Sequence, residues 1–264
     1  MTRRLKLVTG LSTLAALSAF ALAGCGGEGE SPEGEAGLGS IGGETEAAGG
    51  ESELAAQPGD AATDDVAYIR LLGLARGHLA AFYELYRGGA GEMAQSHAKH
   101  PESELYIELS KAFDARRQKG FAIELKNLAA AAAAGESIDE EFSAAIAAID
   151  AHMPKASASV MLLGVAEIVR TAADEFGIGV QQDGAVTNAH EYQDAYGFLS
   201  ASRDILSAIE TTDINEIEAI ALAHEQIELS LSSFDALTAP NTEGRASTLY
   251  GAAARIEIAA RGLN

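Results

Sequence analysis

The chain has a single cysteine, Cys25, so no internal disulfide can brace its fold. It has no tryptophan, and aromatic residues make up only 6% of it, so stability must come from many small aliphatic contacts. Runs of β-branched residues are scarce, which speaks against sheets. Beyond residue 63, proline occurs only at Pro101, Pro154 and Pro240, leaving long stretches that nothing interrupts. Basic residues are few: 18 Lys and Arg stand against 39 Asp and Glu, a formal net charge of −21. That excludes nucleic acid as a partner and disfavours electrostatic attachment to anionic lipid. It suits cationic partners, metal ions and basic proteins among them. No GxSxG elbow or P-loop stands in the chain, and no carboxylate pair stands out from the acidic background. The reading is therefore non-enzymatic.

At the N-terminus, Arg3, Arg4 and Lys6 precede a mostly apolar stretch from Leu7 to Leu22. That stretch is short for a spanning helix and reads as a signal segment over residues 1–24. It ends in Leu22-Ala23-Gly24-Cys25, which resembles the lipobox of bacterial lipoproteins. The resemblance implies cleavage before Cys25 and lipidation of that cysteine. Several acyl chains hold firmly where one holds only marginally. Gly26, not an aspartate, follows Cys25, which in a double-membrane cell implies the outer membrane, facing the periplasm. Removal of the three basic residues would leave a mature chain near −24.

Residues 26–62 are Gly, Glu, Ser and Ala, with nine acidic residues and no Lys or Arg. Such a segment cannot bury enough apolar surface to order itself. Residues 25–62 are expected to form a flexible acidic tether, reaching roughly 30–35 Å. From residue 63 to 264 the Ala- and Leu-rich pattern is helical nearly throughout. It predicts an all-α, antiparallel bundle of about eight to nine helices. The expected helices start at Asp64 or Asp65, near Glu92, at Pro101, near Gly120, at a Ser137-Ile138-Asp139-Glu140 capping box, at Pro154, at Asn188, at Asp213, and after a turn at Pro240–Thr242. Gly88, Gly89 and Gly91 should break the first, and residues 177–188 should form a loop with a turn at Asp183-Gly184. Leu71-Leu72-Gly73-Leu74-Ala75 recurs in form as Leu162-Leu163-Gly164-Val165-Ala166, a hint of duplication.

Two clusters could carry chemistry. The first is His78 together with Met93, His97, His100, Glu102 and Glu104. Met93, His97 and His100 fall at i, i+4 and i+7, one face of a helix. Imidazole with thioether suits copper, and imidazole with carboxylate suits iron or zinc. Alternatively, His97 and His100 are only helix-terminal polar residues favoured by the dipole. The second cluster is His190, Glu191, Tyr192 and Asp194, within a run that continues to Phe198. The order Asp183-Gly184, Glu191-Tyr192, Phe198 resembles the periplasmic helical domain linked to bacterial high-affinity iron permeases, over about residues 160–206. That resemblance implies a link to iron uptake. The chain has no REXXE-type helix and cannot itself conduct iron. On their own, Tyr192 and Phe198 could equally be core packing. His152 and His224 stand alone, though His224 could face inward and join the others.

These features point to a membrane-anchored lipoprotein that binds iron or copper, or assists a metal-transport or envelope protein partner. The alternative is a structural or interaction module that docks a partner without a metal. A carrier of a small apolar ligand is a third reading.

Overall fold

The computed structural model of the chain describes residues 59–263. The signal segment, Cys25 and the tether up to residue 58 lie outside the described residues. Among the described residues there are nine α-helices and no β-strand, as the pattern predicts. Helix α1 (Asp65–Arg87) opens on Asp64, whose carboxylate accepts from the N–H groups of Val66 and Ala67. It closes at Gly88, and Gly89 takes a left-handed φ of 80°. Helix α2 (Gly91–His100) does not stop at Pro101. It runs into a π-helical turn, Pro101–Leu105, and on into α3 (Tyr106–Arg116). The expected fresh start at Pro101 is corrected here. Proline lacks the N–H that an α-helix would use at that point, and the wider turn absorbs the defect without ending the helical path.

Helix α4 (Ala122–Ala134) ends on Gly135 at a φ of 70°. The Ser137 capping box does not form. Ile138 takes the cap position of α5 (Asp139–Asp150) and the Ser137 hydroxyl turns to the Asp139 carboxylate. Helix α6 (Ala158–Gly179) starts at Ser157, whose hydroxyl accepts from the Val160 N–H, and not at Pro154. It also runs past Phe176, so the following loop is shorter than expected. Asn188 caps α7 (Ala189–Ser207) and Asp213 caps α8 (Ile214–Leu231), each through its side-chain oxygen. The last helix is α9 (Ala246–Arg261). No helix among the described residues is long and apolar enough to cross a membrane.

Helices α6 to α9 pack as a four-helix unit, with α6 and α8 each touching both α7 and α9. Helix α1 lies against α6 and α7 and also packs on α2, α3 and α5. Small residues set how closely these helices approach. A Cβ on Gly164 would fall 2.4 Å from Ile69 Cγ2, and one on Gly73 would fall 2.2 Å from Ile168 Cδ1. Each of the two look-alike segments thus uses its glycine to seat an isoleucine of the other helix, which accounts for what they share. The register also makes α1 and α6 run in the same direction, whereas α1 and α7 are antiparallel. At the α1–α7 crossing the backbones touch: a Cβ on Gly197 would fall 2.2 Å from the Gly77 carbonyl oxygen.

The Asp183-Gly184 turn forms as predicted, with Gly184 at a φ of 92° and the Asp183 carboxylate accepting from the Ala185 N–H. Val186 N–H donates to Pro240 O, and Thr242 N–H donates to Gly184 O. These bonds pin the loop before α7 to the loop before α9, and so fix where the first turn of α7 stands.

Candidate metal centre

The contact between Gly77 and Gly197 brings the next residue on α1, His78, against α7. There His78 Nδ1 lies 2.7 Å from Asp194 Oδ1. Helix α2 packs across α1 and adds His97, whose Nδ1 lies 2.8 Å from the same oxygen. His78, His97 and Asp194 are 1%, 0% and 2% exposed. Ionised groups are not buried that deeply without partners or a bound cation. On the other side of the carboxylate, His190 Nε2 lies 3.2 Å from Asp194 Oδ2, one helical turn back on α7. His100 Nδ1 lies 3.3 Å from His190 Nε2 and 3.4 Å from Glu104 Oε2, which the π-helical turn supplies.

Surrounding groups orient the rings. The Gln193 amide donates from Nε2 to Leu237 O at 3.0 Å, which leaves its Oε1 to accept from His97 Nε2 at 2.8 Å. With Nε2 so occupied, His97 Nδ1 is the nitrogen turned to Asp194. Ser96 Oγ lies 3.3 Å from His190 Nδ1. The Phe198 ring stands edge-on to His78 at 5.0 Å between centroids and walls the site from the core.

The electrostatics favour neutral imidazoles at His100 and His190 beside an anionic Asp194 carboxylate. Burial pushes His100 down to about 3, with the neighbouring imidazoles adding to the effect. Burial likewise pushes His190 down to about 4, partly opposed by Asp194. Burial alone would raise the Asp194 carboxyl, but His78 and His97 hold it well below the usual carboxylate range. Neutral imidazole and ionised carboxylate are the forms that ligate metals.

The shifts carry a stability consequence. Below the unfolded histidine value of about 6.5, the unfolded chain takes up protons that folded His100 and His190 refuse. Stability of the metal-free protein is therefore expected to fall as pH drops from about 6.5 toward 4, by a few kcal/mol of the order that such shifts imply. Thermal unfolding across that range in a metal chelator checks this. A midpoint that holds steady or rises on acidification contradicts it.

Three groups of side chains have donor atoms within 4.8 Å of one another: His78, His97 and Asp194; His78, His100 and Glu104; and His100, His190 and Asp194. The two clusters that stand apart in the sequence are thus one cluster in space. Glu102 and Glu191 stay outside these groups of His, Asp and Glu donors. Met93 is 37% exposed, with its sulfur 3.8 Å from Gln193 Nε2. Glu102 is exposed. Glu191 is buried in the first turn of α7 and accepts from Asn188 Nδ2. Tyr192 is core, packed on Phe176 and Phe234. His224 is half-buried on α8 and takes no part, contrary to the suggestion that it turns inward. His152 binds two backbone carbonyls, Ala148 O and Lys119 O, and is structural. Sequence reading did not single out Gln193 and Ser96, whose roles depend on neighbours distant in the chain. The i, i+4 spacing of His190 and Asp194 puts both on one face of α7, but nothing along the chain joins that face to the first cluster.

No curated protein and no solved structure matches the chain. Residues 154–260, which span α6 to α9, match the model of the iron permease-associated 4-helix bundle domain. That segment is wider than the resemblance seen in the sequence. It contributes His190 and Asp194 to the cluster, while His78, His97, His100 and Glu104 come from helices that precede it.

Proposed function

We propose that this protein is a non-enzymatic lipoprotein of the cell envelope that binds a transition-metal ion, iron foremost, and serves a metal-uptake partner. In this reading the lipid on Cys25 holds it to the outer membrane, facing the periplasm, and the acidic tether lets the helical part move toward that partner. The observation that carries the metal reading is the convergence of four imidazoles and two carboxylates, Asp194 and Glu104, with His78, His97 and Asp194 fully buried. Mixed imidazole and carboxylate donors suit iron, zinc and manganese better than they suit copper(I), which prefers sulfur. The match of residues 154–260 to a domain named for iron permeases supports iron over the other metals and a transport protein as the partner.

The test is anaerobic titration of the purified protein with Fe(II), with elemental analysis of the washed complex. Binding well below millimolar is expected. His97→Ala combined with His100→Ala should weaken it by at least about 100-fold, since each metal ligand or its support is worth about 10–100-fold. No binding below millimolar, or an unchanged double variant, would end the metal reading.

A further inference from the structure

The grouped side chains do not surround a single point. Asp194 turns its two oxygens to different partners: Oδ1 to His78 and His97 at 2.7 and 2.8 Å, Oδ2 to His190 at 3.2 Å. His100 stands next to His190, and Glu104 next to His100. The donors therefore divide into His78, His97 and Oδ1 on one side, and His190, His100 and Oδ2 with Glu104 on the other. His78 also lies within 4.8 Å of His100 and Glu104, so the division rests on the two oxygens of Asp194 and on the ring planes.

The ring planes make the same division. His97 and His190 stack with centroids 4.2 Å apart and planes inclined by only 16°. An imidazole nitrogen bonds a metal in the plane of its ring, at about 2.0–2.1 Å. Two stacked and nearly parallel rings direct their lone pairs along nearly parallel lines, and their planes meet far beyond bonding distance of either nitrogen. One ion cannot satisfy both. Two ions about 3.5–4 Å apart can, and that is the spacing of two-metal sites held by a shared ligand.

We propose that Asp194 bridges two metal ions, one bound by His78 and His97 and the other by His190 and His100, with Glu104 completing the second. This rests on the metal reading above and extends it to a pair of divalent cations. Asp194 and Glu104 supply one negative charge for each ion. Coordination positions not filled by these side chains would go to water.

The test counts ions. Full-length protein loaded anaerobically with Fe(II) and desalted is expected to retain two iron atoms per chain. His190→Gln and His100→Gln, at the less buried edge of the cluster, are each expected to retain one. Loaded instead with Cu(II), the wild-type protein should give a spin-coupled spectrum with a half-field line, and either variant should give the spectrum of one isolated copper. A variant that failed to fold would lose both ions, so the surviving isolated copper distinguishes loss of a site from loss of structure. One ion per chain in the wild type, with an uncoupled copper spectrum, overturns the bridged pair and leaves the single-metal reading standing. No ion at all overturns both. Two ions that persist unchanged in both variants also overturn it, since the second would then lie elsewhere.

Discussion

Asp194→Asn is expected to abolish iron retention by the washed protein and to lower the stability of the metal-free form by about 3 kcal/mol or more. The carboxylate is 2% exposed and touches His78, His97 and His190 together. Without its charge, a cation bound there would keep only neutral imidazoles and Glu104 at the far edge. In the metal-free protein the loss arises differently. His78 and His97 are buried against Asp194, and removing one partner of a buried pair leaves the other uncompensated. Asparagine keeps the volume but replaces one oxygen by an N–H donor, which faces imidazole nitrogens already positioned for an acceptor. Two measurements read the two effects: iron per chain after desalting, and unfolding by denaturant in chelator. A variant that keeps wild-type iron content would remove Asp194 from the site. One that keeps iron-free stability within about 0.5 kcal/mol would mean that the buried histidines do not depend on its charge.

Gly197→Ala is expected to be among the most damaging small substitutions in the chain, costing about 3 kcal/mol, with iron binding weakened in parallel. The added Cβ would stand 2.2 Å from the Gly77 carbonyl oxygen and 3.1 Å from Ala81 Cβ. The obstacle is backbone, so no rotamer change relieves it, and α1 must move away from α7. Overpacking of this kind typically costs about 1–3 kcal/mol, and the rigid obstacle puts this case at the upper end. His78 rides on α1 one residue beyond Gly77, and Asp194 rides on α7. Any separation of the helices therefore lengthens the 2.7 Å contact between them. Gly91→Ala is the matched control. It lies at the start of α2 with nothing within 4 Å of the new Cβ, and should be neutral or slightly stabilising. Equal stability of the two variants would show that the Gly77–Gly197 approach is not what positions the site.

Much of the fold is legible because helix boundaries are set locally. Asp64, Asn188 and Asp213 each cap the helix that follows, since a short polar side chain needs only its own next two or three N–H groups to do so. Gly89, Gly135 and Gly184 stand where the backbone takes positive φ. The misread starts involve proline and serine, whose local preference yields to context. Pro101 is carried inside a continuous helical path by the π-helical turn, and Ser137 finds Asp139 in place of the helix end.

The site is legible in its parts. Spacing alone puts His97 and His100 on one face of α2, and His190 and Asp194 one turn apart on α7, because a helix of 3.6 residues per turn leaves no other arrangement. The lipobox-like run Leu22–Cys25 and the acidic composition that follows are likewise local, and need no fold to be read. What spacing cannot supply is that these two faces meet. The pairs His78–Asp194 and His97–Asp194 are separated by 116 and 97 residues, and they form because α1 and α7 approach to backbone contact at two glycines. A glycine that permits such an approach looks, along the chain, like one that merely weakens a helix. Local patterning places the helices, their polar faces and the side chains those faces present. That the histidines of the first helices and the carboxylate of α7 form one cluster follows from packing, because close approach is a property of two surfaces brought together and is written in neither alone.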